Sequence, residues 1–150
     1  FTRNRAKLRA RYVAKNSPTC WWRTIDKVDA SVATTPKLLI PDLKERIHPV
    51  LDEGTYYPLH SLYYVTSTRW DLEVLGGILL SNIANGFVEA YSVRMASGYM
   101  RVSAQYLRRV RVPDPKTIAP ETEEALRKAF RVRDIAAADR AAAAAYRIVT

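Results

Sequence analysis

Hydrophobic positions follow two different periods along this chain. Over residues 62–67 (LYYVTS) β-branched and aromatic side chains dominate, which predicts a strand. Strand alternation puts Leu62, Tyr64 and Thr66 on one face and Tyr63, Val65 and Ser67 on the other. Leu62, Tyr64 and Val65 are expected to build the sheet. From Leu72 the spacing lengthens: Leu72, Leu75, Leu79, Ile83 and Phe87 recur by three and then by fours, the stripe of one helix over about residues 71–91. Thr68, with Asp71 three residues on, resembles a capping box at its start. Gly76 and Gly77 inside the pattern cost about 1 kcal/mol each relative to alanine. They predict close approach of another backbone, or a kink.

The same reading extends to both sides. KLLIP (37–41) is a short apolar run stopped by proline, a buried strand. Asp52, Glu53 and Gly54 make a hairpin turn, with Gly54 free to take a positive φ. TCWWRTI (19–25) reads as a strand, and YMRVS (99–103) as a half-buried one with Met100 and Val102 inward and Arg101 and Ser103 outward. A short helical turn (AQYLR) then leads into RVRVP, a strand ended by Pro113 and Pro115. A helix should start at Pro120, where Glu121, Glu123 and Glu124 complement its dipole. Eight of the ten residues from 136 to 145 are alanine, which favours helix with little apolar bulk. That segment is expected to pack thinly or to dock on a partner. The pattern as a whole is α+β: a mixed β-sheet with packed helices and a C-terminal helical segment. It divides into a basic lead-in (1–17), a main domain (18–113), and a linker with C-terminal helix (114–150).

Charge narrows the partners. The 150 residues carry 24 Lys and Arg against 15 Asp and Glu, a formal net charge of +9. This favours a polyanion, nucleic acid before a membrane surface. Residues 1–25 hold seven of the cations and no acid, either a solvated lead-in or an arm along phosphates. The apolar run 74–91 is interrupted by Asn82, Asn85 and Glu89, so it reads as a buried helix and not a membrane span. The single Cys20 allows no internal disulfide and fits a reducing, cytoplasmic setting. A chain beginning at Phe1 with no secretory-signal pattern reads as part of something larger.

Enzymatic chemistry finds little footing. The five glycines form no phosphate loop, His48, His60 and Cys20 lack zinc spacing, and no GxSxG occurs. Asp29 followed by Asp42-Leu43-Lys44 matches the letters of a metal-dependent nuclease, but a charged turn after KLLIP accounts for them more simply. Polyanion binding has more support. Arg94, Arg101, Arg108, Arg109 and Arg111 lie in one acid-free stretch with Tyr99, Gln105 and Tyr106 between them. Arginine can bridge two acceptors on guanine and glutamine can pair with adenine. Arg101 and Arg108 are the better placed, since Arg109 and Arg111 only flank Val110. Of Trp21 and Trp22, adjacent in a strand, one is expected to be exposed for stacking on a base.

The blocks WWRTIDKVD, PKLLIPDL, VLDEGTYYPLHSLYYVTS, DLEVLGGILLSNIANGFVEAYSVRM and YMRVSAQYLRRVRVP, in this order, resemble the TaqI-like C-terminal specificity domain of adenine-specific DNA methyltransferases from type II restriction–modification systems. The helix followed by QYLRRVRVP also resembles type I specificity subunits. The resemblance covers about residues 18–113 and implies a target-recognition domain that reads duplex DNA. A methyltransferase catalytic domain of the same parent chain would bind S-adenosylmethionine, flip the target adenine and methylate it. No Asn/Asp-Pro-Pro-aromatic motif is present, since NSPT (16–19) does not match it, so these 150 residues are expected to be inactive alone. The DNA-facing candidates are Trp22, Arg23, Tyr57, His60, Ser61, Arg69, Arg94, Tyr99, Arg101, Gln105 and Arg108. Two other readings remain: a metal-dependent nuclease module, and a helical scaffold that docks a protein partner.

Overall fold

A computed structural model describes residues 2–23, 28–95 and 98–148 of the chain, which separate into two units between Ala30 and Ser31.

The first unit is helical. A 3-10 turn Thr2–Asn4, helix α1 (Arg5–Arg9), helix α2 (Tyr12–Asn16) and a second 3-10 turn Pro18–Cys20 follow one another. Over residues 19–23 the expected strand does not form: Trp21 and Trp22 sit in a turn, and the rest of that stretch, Thr24 and Ile25, lies outside the described residues. Pro18 starts this tight turn because its fixed φ suits the first helical position. Arg11 donates from Nη2 to the carbonyls of Trp21 (3.0 Å) and Arg23 (3.1 Å), which ties the turn back to α2.

The second unit is α+β. Helix α3 (Ala30–Thr34) leads into strand β1 (Lys37–Pro41), and then come β2 (Leu43–Lys44), β3 (Val50–Asp52) and β4 (Leu62–Val65). The main sheet has the order β3-β1-β4, all antiparallel. The turn at 52–54 therefore joins two strands that do not pair with each other; both pair with β1. Gly54 has the expected positive φ, 93°, and an added Cβ would lie 2.5 Å from the Thr34 carbonyl oxygen.

Register also corrects the tyrosine faces. Leu38 pairs with Val65 and Ile40 with Tyr63, and cross-strand partners point the same way. Leu38 and Ile40 are fully buried, so Tyr63 packs on the core while Tyr64, opposite Leu39, is 46% exposed.

The long helix divides in two. Helix α4 (Leu72–Leu80) is capped by Asp71, whose carboxylate accepts from the amides of Glu73 and Val74; Thr68 does not cap it. Ser81 turns extended (ψ 157°), and helix α5 (Asn82–Glu89) restarts with Ser81 Oγ accepting from the Ala84 amide. Arg46 donates to the Leu80 carbonyl and to Asn82 Oδ1, both at 3.0 Å, while Asn85 Oδ1 accepts from the Ile47 amide. The Arg46 bond to Leu80 satisfies a carbonyl that the break leaves open, and the other two fix the start of α5 to the 46–47 segment.

Strand β5 (Met100–Arg101) pairs with β2 in a second, two-stranded sheet, and helix α6 (Ala104–Leu107) follows. Arg109 sits in a turn and residues 110–113 form no strand, which corrects the strand expected there. Helix α7 (Pro120–Val132) starts at its proline as expected, and helix α8 (Ile135–Ala145) covers the alanine run.

Every residue of α4 from Val74 to Leu80 is buried, so the helix has no solvent face and its apolar stripe understates its role. One side meets Leu38, Ile40 and Phe130; the other meets Leu126, Ala141, Ala142 and Ala145. Four alanines of α8 (Ala138, Ala141, Ala142 and Ala145) are therefore packed inside the second unit, which corrects the thin packing expected of this segment. Gly77 marks the closest approach: a Cβ there would lie 2.5 Å from the Leu126 carbonyl oxygen. No described helix is long and apolar enough to cross a membrane.

Candidate nucleic-acid interface

The second sheet organises the polar edge of the second unit. In β5, Met100 and Val102 are buried at 1% and 0%, which forces Arg101 outward between them. Its cross-strand partner is Leu43, and Lys44 faces Met100. Asp42, just before β2, donates its amide to the Ser61 carbonyl (3.0 Å) and accepts from the Val102 amide (2.7 Å). That one residue brings the turn at 59–62, which carries His60, beside β5, so Ser61 and Arg101 come together. The turn is closed by the Leu62 amide donating to the Leu59 carbonyl (2.9 Å).

Neighbouring candidates join this edge through the backbone. Arg94 bridges to Met100 and pairs with Glu89 at 2.7 Å. The Tyr99 carbonyl accepts from the Met95 amide, and its side chain is partly exposed. Gln105 is exposed on α6 and Arg108, also exposed, caps its C-terminal end. Tyr57 lies in the loop before His60; that loop is tethered where Asp52 accepts from the amides of Thr55 and Tyr56.

Arg69 is held elsewhere in the second unit. Arg69 sits before α4 and forms a 3.7 Å ion pair with Asp114. Trp22 and Arg23 belong to the first unit. Trp22 is 48% exposed and meets Trp21 edge to face at 5.8 Å, while Trp21 is half-buried under the guanidinium groups of Arg5 and Arg9. One tryptophan is exposed, as expected, though from a turn and not from a strand.

Sequence reasoning missed Leu43 and Lys44, which reach the edge only because β2 pairs with a strand far along the chain. Asp42 lies in a bend after KLLIP, as expected, but its partner there was not legible. The carboxylate faces Arg101, with Oδ2 at 3.5 Å from Nε. Among the described residues no group of three His, Cys, Asp or Glu could hold a metal. Arg109 stacks its guanidinium 4.5 Å above the Tyr91 ring. Burial, then the charges of Arg133 and Lys44, lowers the pKa of His48, near β2, below its usual value. Gly76 and Gly77 are used in packing against Phe130 and Leu126.

The edge thus offers hydroxyl, imidazole, amide and guanidinium groups on a short ordered scaffold, suited to phosphate oxygens and base edges. No family model matches the chain. It is similar to the type II methyltransferase M.XhoI of Xanthomonas vasicola, 47% identical over 135 residues, which are 90% of this chain and 25% of that protein. M.PaeR7I of Pseudomonas aeruginosa is 45% identical over 131 residues, 87% of this chain and 23% of its own length. M.BstVI of Geobacillus stearothermophilus is 40% identical over 126 residues, 84% of this chain and 22% of its own length. All three are type II methyltransferases, and the chain spans about a quarter of their length.

Proposed function

We propose that this chain is the target-recognition part of a type II, adenine-specific DNA methyltransferase. It would bind duplex DNA through the edge formed by the 57–61 loop, β2, β5 and α6. S-adenosylmethionine binding and methyl transfer to the adenine amino nitrogen would belong to a catalytic part outside these 150 residues. The observation that carries the reading is the match to type II methyltransferases over 84–90% of this chain but only 22–25% of theirs. It comes with a net charge of +9 and no catalytic or cofactor motif in the matched segment. A nucleic-acid partner explains why exposed arginines and tyrosines gather on one edge, because phosphates position the duplex and base edges specify it.

The test is bind-and-sequence on the protein with a pool of randomised duplexes near physiological salt. The expected result is an enriched motif of several fixed base pairs. If about five phosphates are neutralised, log affinity falls against log salt with a slope near −4 to −5. Binding with that slope but no enriched motif would overturn target recognition and leave a basic positioning surface. Salt-insensitive association with another protein, without DNA affinity, would replace the reading by a docking scaffold.

A further inference from the structure

We infer that Arg101 is a guanine reader and that Asp42 is the positioning residue that aims it. The inference rests on the target-recognition reading above and goes beyond it by naming the reading pair and the base.

Both residues stand on fixed backbone. Asp42 has each of its main-chain polar groups engaged, the amide by Ser61 and the carbonyl by Val102. Arg101 is paired across β2–β5, and its carbonyl accepts from Ser92 Oγ at 3.0 Å. Met100 and Val102, buried on either side, prevent the strand from rolling the arginine inward. A reading group held on paired strands is placed more accurately than one on a loop.

The side chains divide their roles by exposure. Arg101 is 65% exposed and Asp42 only 18%. Asp42 Oδ1 is buried without a hydrogen-bond partner, so that oxygen cannot reach a cytosine amino group in a groove. The other oxygen, Oδ2, faces Nε of Arg101, at the near side of the guanidinium. Among the described residues neither terminal nitrogen of Arg101 meets a protein acceptor, so the fork at the tip is free. The ion pair lies on the Nε side, which leaves the two terminal nitrogens as parallel N–H donors on a side chain that is 65% exposed. Guanine N7 and O6 are the paired major-groove acceptors that such a fork fits. Adenine offers a donor beside N7 and would leave one N–H unpaired.

The ion pair itself contributes little to stability, because Arg101 is largely solvated. Its consequence is angular: it selects one guanidinium orientation among many. A lysine has no fork and cannot reproduce that selection.

The test repeats bind-and-sequence with Arg101→Gln, Arg101→Lys, Asp42→Ala and Asp42→Asn, each checked for native circular dichroism. Both Arg101 variants are expected to lose roughly ten- to a hundred-fold of guanine preference at one base pair, with the other positions kept. Arg101→Lys retains the charge, so its salt slope should stay unchanged while its preference falls. Asp42→Ala should weaken preference at that same base pair and nowhere else. Asp42→Asn, which keeps an acceptor for Nε, should restore most of it. A merely structural role for Asp42 would instead lower affinity uniformly across all positions, and that result overturns its positioning role. An intact guanine preference in both Arg101 variants overturns this inference alone and leaves target recognition standing. Absence of any motif with the unchanged protein overturns both.

Discussion

Lys37 is fully buried, which is rare for a lysine and requires a partner. It stands opposite Asp52 in the β1–β3 register, forms an ion pair with that carboxylate, and also donates to the carbonyls of Ala33 and Thr35. Asp52 in turn accepts from Thr55 and Tyr56, at the base of the loop that carries Tyr57 and His60. The pair thus connects the sheet to the candidate interface. Removing Lys37 alone (Lys37→Met) leaves a buried carboxylate uncompensated and should cost about 3–5 kcal/mol in urea denaturation. Adding Asp52→Asn to that variant should recover part of the loss. Acid provides a second readout. The Lys37 hydrogen bond, working against burial and helped by the Thr55 and Tyr56 amides, holds the Asp52 carboxyl below its usual 3.8. A depressed carboxyl contributes stability above the unfolded value and loses it as pH falls through the folded one. The wild-type chain should therefore lose stability as pH drops below about 4, and Asp52→Asn should flatten that loss; an unchanged acid limb would mean the pair is not the acid-sensitive contact.

At the scale of elements, two glycines in adjacent helices make opposite predictions. Gly77 in α4 has the Leu126 backbone where its Cβ would go, whereas Gly86 in α5 has nothing within 4 Å. Alanine improves helix propensity by about 1 kcal/mol at either position. At Gly86 that gain should appear in full as a higher unfolding midpoint. At Gly77 the helices must separate, and overpacking of about 1–3 kcal/mol or more should outweigh it. Comparing the two variants in chemical denaturation checks both signs. The helix pair was partly legible in the sequence: the three-and-four spacing located it, and the glycines announced a close neighbour. The break at Ser81 was not legible, because the groups that stabilise it come from elsewhere. Asn85 takes the Ile47 amide, 38 positions away, and Asn82 is held by Asp139, 57 positions away.

The second unit is completed by its last two helices. Arg127 binds Asp71 at 2.8 Å and Arg131 binds Glu73, so α7 clasps the N-terminal turn of α4 with four charges. Leu126 and Phe130 project inward from the same helix, each worth about 1.5–3 kcal/mol when buried. Ending the chain after Pro113 would uncover the side of α4 that meets Leu126 and the alanines and would remove Phe130 from the other. The truncated chain should lose near-ultraviolet circular dichroism and bind a hydrophobic dye, as a protein with a broken core does. Native-like spectra from residues 1–113 would show that the C-terminal helices are dispensable. The interface follows the same logic. The sequence displayed the arginines and tyrosines, and of the eleven candidates the structure brings Ser61, in the turn that carries His60, and Arg101 together around Asp42.

By itself the sequence determined the α+β class, the buried strand at 37–41, the inward Met100 and Val102, the helix start at Pro120 and the basic balance. These depend on periodicity, local capping and composition, which act within a few residues or need no partner at all. Tertiary structure alone decided the strand order β3-β1-β4, the inward turn of Tyr63, the division of the long helix and the pairing of Asp42 with Arg101. Each depends on which distant segment supplies the other half of a hydrogen bond or a packed face. The arginine that faces the carboxylate at position 42 comes from a distant strand, and only the pairing of β2 with β5 brings it there.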